Sequence, residues 1–523
     1  MRSFFVVGLA ALSSAIAIGS LVTGCGSSSC EDTDSCGAYT GGKAGTGGAG
    51  GTSGSGATGG TSGGGGAGGT GGTSGTGGTG GTGGTGGDSG TCDTTKSPSE
   101  EACLVSDAHA VFVNGTATSG GTGTKASPFK TIGEALSAAG GKMILVCDTS
   151  YDEHVKLTAG VKLYGGFSCT DWSYETGKRA AVKPASKGYA LEIDSVSASV
   201  VIEDMEFASI DAAAAGESSI AALVNASTDV KLRRVKLAAG KGMAGANGVL
   251  AAYTYPTQAS LNGKSASGAT GGGLSTCSCP GGAQSIGGKG GDGVPPSGQA
   301  GSDGGPALGA GQAGSPGSCG TTGTGKDGKA GSPAADAAGA STSGALAGTV
   351  WSPGAGASAA PGGVGQGGGG GASTSAAGGG GGGCGGCGGA GGPGGGGGGA
   401  SIALIAVNST ISVSTGSELT TSDAGNGGTG ASGQPGQTDY GFLGNGTPPA
   451  CPGGNGAPGG GGGAGGGGAG GISVAVLWKG AAAPTVDSGA TITLGKKGNK
   501  GAGGKAGSND GVDGAAQNSL EVK

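Results

Sequence analysis

The 523-residue sequence has few of the residues from which most catalytic and nucleic-acid-binding sites are built. Charged residues make up 11% of the chain and the formal net charge is -6, so no basic surface for nucleic acid is predicted. Aromatic residues make up 3%, which leaves little for stacking on bases or sugar rings. The chain has two histidines, His109 and His154, and no two adjacent aspartates. With 141 glycines and 19 prolines, a large conventional core is excluded. We predict no cofactor and no metal site.

The first residues have the layout of an export signal. A positive charge at Arg2 precedes an apolar run over residues 4–21, which is too short and too rich in small residues to predict a membrane span. The following Val22-Thr23-Gly24-Cys25 resembles the lipobox of bacterial lipoproteins, in which the cysteine carries the lipid (palmitate) and becomes the new N-terminus. We therefore predict a signal peptide over residues 1–24 and attachment to a membrane through the lipid. An ordinary secretory signal is the alternative. Gly26 in place of aspartate favours the outer membrane or cell surface.

The next segment and the cysteine count both suit an exported protein. Residues 25–91 are rich in glycine, threonine and serine, which cannot offset the entropy of ordering, so we predict a flexible linker. Twelve of the 13 cysteines remain after Cys25, an even number that indicates disulfides. Cys277-Ser-Cys279 and Cys384-Gly-Gly-Cys387 have no histidine nearby and no second pair at zinc-finger spacing. We predict loop-closing disulfides at both.

One short helix is predicted where a folded region begins. Thr131 and Glu134 match a capping box, in which each side chain satisfies an exposed amide of the first turn. The apolar face of this helix consists of Ile132, Leu136 and Ala139. Short β-prone runs surround it, and each is too short to bury itself. Stacked strands in a solenoid solve that problem, because every coil covers the one before it and a cap covers the first. We therefore predict an N-terminal cap and the first coils of an all-β solenoid over residues 92–239.

Residues 110–167 resemble a known family. The helix segment SPFKTIGEAL and the later YDEHVKLTAGVKLYGGF are similar to the opening of pectin-lyase-like right-handed parallel β-helix proteins. The resemblance implies a right-handed parallel β-helix with an N-terminal capping helix, and it indicates the fold far better than the function. In that fold Cys147 and Cys169 lie about one coil apart, which makes them a candidate disulfide between neighbouring coils.

Three islands of similar sequence begin at Ser219, Ser401 and Gly471. Each reads as strand, polar turn and further strands, followed by a glycine tract, so we predict one coil per island with the tracts leaving from the same side. This gives a glycine-rich insertion at 240–400 and further coils with glycine-rich loops at 401–523. The tracts are either disordered loops or extended threefold helices, and their imperfect spacing favours mostly disordered loops with ordered patches. They resemble PE-PGRS sequences in composition only.

The family resemblance requires an enzyme to be considered. Pectin-type hydrolases of this fold carry a Gly-His-Gly segment and paired aspartates, which this sequence lacks. Lyases of the fold use acids with an arginine or lysine base, and the acids and arginines here are Asp194, Glu203, Asp204, Glu206, Arg233 and Arg234. They alternate with apolar residues, which predicts solvent-facing positions on strands. His154 is predicted to lie on the first coil without a role. The segment at 287–292 resembles one loose copy of a calcium-binding repeat, which does not predict calcium binding.

The favoured function is therefore a lipid-anchored cell-envelope protein with a non-catalytic structural or adhesive role. Its expected partners are the membrane, through the lipid, and cell-surface carbohydrate or another envelope protein. The alternative is a polysaccharide lyase or hydrolase of the pectin-lyase-like fold.

Overall fold

The structure, a computed structural model, describes residues 92–320 and 322–523, which belong to the unit Asp88–Lys523. The signal peptide, the lipidated Cys25 and the linker that the sequence predicts lie outside the described residues. No helix in the described part of the chain is long and apolar enough to cross a membrane.

The described chain consists mainly of short strands and of extended segments between them. Its α-helices are α1 (Ile132–Ala138) and α2 (Gln258–Leu261), and short 3-10 helices lie at Ala102–Leu104 and Pro280–Gly282. The strands are, in chain order, β1 (Ala110–Val113), β2 (Met143–Cys147), β3 (Ser150–Tyr151), β4 (Val155–Leu157), β5 (Lys162–Phe167), β6 (Ala180–Val182), β7 (Leu191–Asp194), β8 (Val200–Glu203), β9 (Met205–Ala208), β10 (Ser219–Asn225), β11 (Val230–Arg233), β12 (Lys236–Ala238), β13 (Ser275–Ser278), β14 (Gln284–Gly287), β15 (Gly344–Ala347), β16 (Val350–Pro353), β17 (Ser401–Val407), β18 (Ile411–Val413), β19 (Glu418–Thr420), β20 (Ser473–Lys479), β21 (Thr485–Val486), β22 (Thr491–Thr493) and β23 (Ala516–Glu521).

Successive strands along the chain belong in turn to three parallel sheets. The first sheet has the order β1-β2-β5-β8-β11-β18-β21, the second β3-β6-β9-β12-β19-β22, and the third β4-β7-β10-β17-β20-β23. From β2 onward, each circuit of the chain therefore contributes one strand to the first sheet, one to the second and one to the third. Every strand pairs in parallel with its counterpart in the next circuit, and two antiparallel hairpins, β13–β14 and β15–β16, stand apart. The prediction of an all-β fold built from parallel strands is confirmed.

Apolar side chains stack in columns through the circuits. In the first sheet Ile144, Leu163, Ile202, Leu232 and Val413 occupy paired positions on five successive strands, and each is at most 3% exposed. Fully burying such a side chain stabilises a fold by roughly 1.5–3 kcal/mol, so short strands gain enough only by stacking on one another. Columns from all three sheets meet in one interior cluster.

Helix α1 closes one end of this cluster. Thr131 Oγ1 accepts from the Glu134 amide at 3.1 Å, and a Glu134 carboxylate oxygen accepts from the Thr131 amide at 3.0 Å, which confirms the predicted capping box. Glu153 adds a second cap, because its carboxylate accepts from the amides of Ile132 (2.8 Å) and Gly133 (3.0 Å). Burial nevertheless raises the pKa of Glu153. The helix packs against β1, β2 and β4, with Ile132 and Ala135 buried.

A second, smaller cluster covers the outer face of the first sheet. Leu104, Phe112, Phe167 and Trp172 pack there, and the Phe112 and Trp172 rings meet edge to face at 4.7 Å between centroids. Cys147 and Cys169, the pair named above as a candidate, form a disulfide with a Cα–Cα distance of 4.9 Å. Since Cys147 ends β2 and Cys169 follows β5, the bond joins neighbouring circuits.

Three glycine-rich excursions interrupt the later circuits at equivalent places. Residues 239–400 connect β12 to β17, residues 421–472 connect β19 to β20, and residues 494–515 connect β22 to β23. Each excursion therefore leaves the second sheet and returns to the third. We call the part next to the second sheet the outgoing leg and the part before the third sheet the return leg.

The expectation that these tracts are mostly disordered loops is wrong for the described residues. The legs lie side by side and exchange backbone hydrogen bonds every three residues: Gly245 donates to Asn426 at 2.8 Å and Gly248 to Thr429 at 2.7 Å. The return legs repeat the spacing, with amides of Gly389, Gly392 and Gly395 donating to carbonyls of Gly460, Gly463 and Gly466. A period of three residues per turn is that of a polyproline-II-type helix, so the second alternative raised by the sequence describes the tracts.

Glycine is required because the legs approach more closely than side chains allow. A Cβ atom built on Gly380 would overlap the carbonyl oxygen of Gly444, and one on Gly382 would overlap the carbonyl oxygen of Gly368. The same crowding permits only glycine at the axis of the collagen triple helix. The excursions thus form one hydrogen-bonded bundle, which we call the glycine bundle.

Candidate functional site

Polar side chains fix the register of the glycine bundle from its surface. Asn247 Oδ1 accepts from the amide of Thr429 at 2.9 Å, one excursion further along the chain. Asp423 Oδ1 accepts from the Lys496 amide at 2.8 Å in the same way. Further acceptors of this kind are Asp211, Asn262, Asp327, Asp336 and Asn426. Each of these side chains accepts a hydrogen bond from an amide at the edge of a leg, where no backbone carbonyl reaches that amide. The sequence analysis did not predict this role.

Disulfides hold the bundle together away from the strands. Cys277 in β13 is joined to Cys384, Cys279 to Cys387, and Cys319 to Cys451. The first two bonds attach the β13–β14 hairpin to the return leg of the first excursion, and the third joins the first excursion to the second. The prediction that both short cysteine motifs form disulfides is confirmed, and the motifs pair with each other. All ten cysteines within the described ranges are in disulfides, the fifth bond joining Cys92 to Cys103.

The excursions contain five aromatic residues, and four of them lie on two neighbouring outgoing legs of the bundle. The five are Tyr253, Tyr255, Trp351, Tyr440 and Phe442. Trp351 is buried, since hairpin β15–β16 folds against the outer face of the third sheet. The other four lie on two neighbouring outgoing legs, and we call them the aromatic edge. Tyr440 and Phe442 meet edge to face at 6.3 Å between centroids, and Phe442 is 50% exposed.

Hydrogen bonds position the aromatic edge. Gln434 Oε1 accepts from the Tyr253 amide at 2.7 Å, and Gln434 Nε2 donates to the Tyr253 carbonyl at 2.9 Å. The Tyr255 hydroxyl donates to the Pro435 carbonyl. Gln258 Nε2 donates to the Tyr440 carbonyl at 3.4 Å, and the Phe442 amide donates to Asn262 Oδ1 at 2.9 Å, so Tyr440 and Phe442 lie beyond Tyr253 and Tyr255 along the paired legs. The two aromatic pairs thus follow one another along a rigid edge.

The acids and arginines that would suit an enzyme form a buried ion-paired cluster. Glu203 and Asp204 lie at the turn from β8 to β9, and each is 2% exposed. Arg234 donates to Asp204 through Nε at 2.9 Å and Nη2 at 2.8 Å, and its Nη2 also contacts Glu203 Oε1. Tyr174 donates to Asp204 at 3.0 Å and Ser99 to Glu203 at 3.2 Å. The hydrogen bonds to Asp204 are the largest cause of the raised pKa of Arg234.

The expectation that these acids face solvent is therefore wrong for Glu203 and Asp204. Strand alternation does not extend to Asp204, because this residue and Arg234 have positive φ (55° and 50°) at equivalent turns of successive circuits. The turns aim the two side chains at each other. Arg234 binds both oxygens of Asp204, and it contacts Glu203 through Oε1 alone. Glu203 Oε2 has no hydrogen-bond partner among the described residues and lies 3.8 Å from Arg233 Nη1. The burial of both carboxylates keeps a substrate away from them.

The remaining candidates for chemistry lie elsewhere and have ordinary partners. Asp194, in the third sheet, accepts from Asn225 Nδ2 at 2.8 Å, whereas Glu206, in the second sheet, forms ion pairs with Lys183 and Lys236 at 3.2 and 3.4 Å. The ring nitrogens of His154 lie 2.7 Å from the Tyr189 carbonyl and 2.9 Å from Ser186 Oγ.

Two features bear on metal binding. Asp292, the acid of the calcium-like segment, pairs with Lys289 Nζ at 2.6 Å and accepts from the Gly271 amide at 2.8 Å, so its carboxylate already has partners. Cys92, Glu101 and Cys103 come within ligand distance of one another, and within the described ranges no other group of three such residues does so. The two cysteines of this group are joined in a disulfide and do not offer thiolates.

No protein-family model matches the chain, and neither a curated protein nor a solved structure matches it.

Proposed function

We propose that the described region is a right-handed parallel β-helix of the pectin-lyase-like type, capped by α1. The rotation of the chain among three parallel sheets supports this proposal, as does the position of α1 over the first circuit. We further propose that residues 1–24 are a lipoprotein signal, that Cys25 carries the lipid, and that residues 25–91 link it to the folded region. The disulfides among the described residues suit the oxidising compartment that this address implies.

Within that setting, the function that the geometry supports best is adhesion to carbohydrate through the aromatic edge. The observation that carries this proposal is the position of Tyr253, Tyr255, Tyr440 and Phe442 on two neighbouring outgoing legs, where the Tyr440 and Phe442 rings are in contact. Tyrosine offers a flat apolar ring and a polar tip, which suits a ligand whose surface alternates C–H faces and hydroxyls. The backbone beneath is held by hydrogen bonds and disulfides, so binding costs little ordering of the protein.

The glycine bundle supports the same function by its shape and composition. Outgoing and return legs lie side by side, so the edge is extended and suited to a polymer more than to a small molecule. Gln258 and Gln434 stand beside the rings and use amide groups to hold the legs. A linker between lipid and solenoid would let this edge reach beyond the membrane surface.

The test is binding of the full-length chain to immobilised polysaccharides, with newly formed reducing or unsaturated ends measured in the same samples. Tyr255→Ala and Phe442→Ala should each weaken retention at least about tenfold, since truncating an aromatic residue that acts as a binding hot spot costs about 2 kcal/mol or more. Val249→Ala is the matched control, because Val249 is 80% exposed on the same leg without being aromatic. Retention that is unchanged in both aromatic variants would refute the adhesive proposal.

The same assay decides the enzymatic alternative. A lyase or hydrolase that uses the Glu203–Asp204–Arg234 cluster would form products, and Arg233→Ala or Arg234→Ala would abolish them. Retention without products is the result that we expect.

A further inference from the structure

Asparagine is followed directly by glycine at six places in the sequence. One of these dipeptides, Asn114-Gly115, follows β1, and the other five lie in the glycine bundle. The five are Asn247-Gly248, Asn262-Gly263, Asn426-Gly427, Asn445-Gly446 and Asn455-Gly456. An asparagine that precedes glycine loses its carboxamide most easily, because glycine has no Cβ atom to hinder attack of its amide nitrogen on the asparagine side chain. The bundle therefore contains five sites for the same spontaneous reaction.

Four of the five sites are held at both of the groups that would react. Backbone amides of neighbouring legs donate, at 2.8–3.0 Å, to the carboxamide oxygens of Asn247, Asn262, Asn426 and Asn455. The glycine amides that follow these asparagines also donate to carbonyls: Gly248 to Thr429 at 2.7 Å, Gly263 to Phe442 and Gly427 to Asn499 at 2.8 Å, and Gly456 to Gly441 at 2.9 Å. Both hydrogen bonds at a site must break before the glycine nitrogen can reach the carboxamide.

The fifth site, Asn445-Gly446, differs at both groups. Among the described residues, nothing accepts a hydrogen bond from the Gly446 amide, and nothing bonds to the carboxamide of the exposed Asn445. The Asn445 backbone is nevertheless held, since its amide donates to Ser265 Oγ at 3.1 Å. The second outgoing leg ends here in a turn at 447–450. Only at this end of the leg are the attacking nitrogen and the carboxamide of a bundle asparagine both without a protein partner in the described chain.

We propose that Asn445 is a site of spontaneous deamidation, and that the other four asparagines of the bundle are protected from the same reaction by their hydrogen bonds. The Gly446 amide gives up its proton to water, and its nitrogen attacks Cγ of Asn445. A bond forms between these two atoms while the bond from Cγ to the carboxamide nitrogen breaks. That nitrogen takes up a proton and leaves as ammonia, and a succinimide ring remains. Water then opens the ring at one of its two carbonyls, which gives aspartate or isoaspartate.

The product changes the aromatic edge. Asn445 follows Phe442 by three residues, one turn of a threefold helix, so the two exposed side chains lie on the same side of the leg. Deamidation therefore places a carboxylate beside Phe442. Isoaspartate also adds one atom to the backbone next to Gly446, where a Cβ atom would already overlap the Cys451 carbonyl oxygen. The reaction proceeds whether or not the edge binds carbohydrate.

The test is mass spectrometry of the full-length chain stored at neutral pH. Peptide mapping at intervals measures the conversion of carboxamide to carboxylate at each of the five sites. Asn445 should convert at least about tenfold faster than Asn247, Asn262, Asn426 and Asn455, because two hydrogen bonds must break at each of those four sites. The same chain in denaturant is the control, since the five sites should convert at similar rates once the legs have separated.

One variant tests the protection directly. Thr429→Pro removes the amide that donates to Asn247 Oδ1 and keeps the carbonyl that accepts from Gly248, and proline suits the backbone of a threefold helix. Conversion of Asn247 should become at least about threefold faster, and that of Asn455 should not change.

Two results would overturn the proposal. In the unmodified folded chain, Asn445 would convert no faster than the other four asparagines. In the Thr429→Pro chain, Asn247 would remain as slow as before, which would show that its hydrogen bond does not protect it. The first comparison needs no variant, so it stands even if the proline chain does not fold.

Discussion

Two adjacent glycines test whether the glycine bundle is as closely packed as described. A Cβ atom on Gly462 would overlap the carbonyl oxygen of Ala390 on the neighbouring return leg. A Cβ atom on Gly461 would meet nothing closer than the Gln434 carbonyl oxygen at 3.7 Å, which is ordinary van der Waals contact. Alanine should therefore be excluded at one position and accepted at the next.

The magnitude follows from what a methyl group at position 462 must displace. Moving the leg that contains Ala390 strains the bonds from Gly389 to Gly460 (3.0 Å) and from Gln434 to Ala390 (2.8 Å). Each such bond contributes about 1 kcal/mol net, and overpacking alone costs about 1–3 kcal/mol. We expect Gly462→Ala to lower the free energy of unfolding by about 3 kcal/mol. Gly461→Ala should be neutral or stabilising by up to about 1 kcal/mol, because alanine reduces the entropy of the unfolded chain.

The assay is denaturant unfolding of both variants beside the unmodified chain, with hydrogen exchange of the amides at 389–395 as a local measure. Faster exchange there in Gly462→Ala alone would locate the effect in the bundle. The packing argument fails if the two variants differ by less than about 0.5 kcal/mol, the usual effect of a surface substitution.

Three further perturbations have defined outcomes. Arg234→Ala should lower the free energy of unfolding by about 3–5 kcal/mol, because it leaves buried carboxylates unpaired. Arg233→Ala should lower it by less than about 1 kcal/mol, because the Arg233 side chain is 44% exposed. Denaturant unfolding measures both variants. Burial raises the pKa of Tyr164 to about 12, so the free energy of unfolding should fall as the pH rises from about 10 through 12. Tyr164→Phe removes this ionisation and should reduce the loss by about 2–3 kcal/mol, as measured by unfolding at a series of pH values. The disulfides Cys277–Cys384 and Cys279–Cys387 close nearly the same loop, so replacing the two cysteines of one bond by alanine should lower the thermal midpoint little. Replacing all four cysteines should lower the free energy of unfolding by about 4–5 kcal/mol.

The features that the sequence predicted best depend on neighbouring residues. The capping box of α1 needs only Thr131 and Glu134, three residues apart, and the structure shows it. The strands of the first circuits are similarly local. Ser219, Ser401 and Ser473 occupy paired positions in the third sheet, and they lie near the starts of the three similar islands.

Order in the glycine tracts could not be read from any one tract. Each leg is held by amides and carbonyls of other legs, such as the bond from Gly428 to Gly396 and that from Gly468 to Gly428. Composition alone favoured disorder because it counts the entropy cost and omits these partners. The sequence did carry one usable signal: adding 182, the offset between Ser219 and Ser401, to Tyr253 gives 435, next to its actual partner Gln434.

The acid cluster was misjudged for a different reason. Alternation along a strand predicts which side chains face inward, but it holds only while the strand continues. Asp204 and Arg234 lie in turns with positive φ, where the direction of a side chain no longer follows the strand. Their contact also joins successive circuits, and its partner Tyr174 comes from a connection thirty residues away.

The bundle's stability must come largely from its attachments, as a comparison of magnitudes shows. Ordering one residue costs about 1–2 kcal/mol of backbone entropy, and glycine loses the most. A backbone hydrogen bond returns about 0.5–1.5 kcal/mol, and a leg of glycines buries little apolar surface. For a leg by itself, the entropy cost of ordering and the contribution of the hydrogen bonds therefore nearly cancel. Strands β17 and β20 fix one end of the return legs, and the bonds at Cys384, Cys387 and Cys451 fix the other, which removes entropy from the unfolded legs before any hydrogen bond forms. The disulfides therefore supply a constraint on the legs at positions that the strands of the three sheets do not hold.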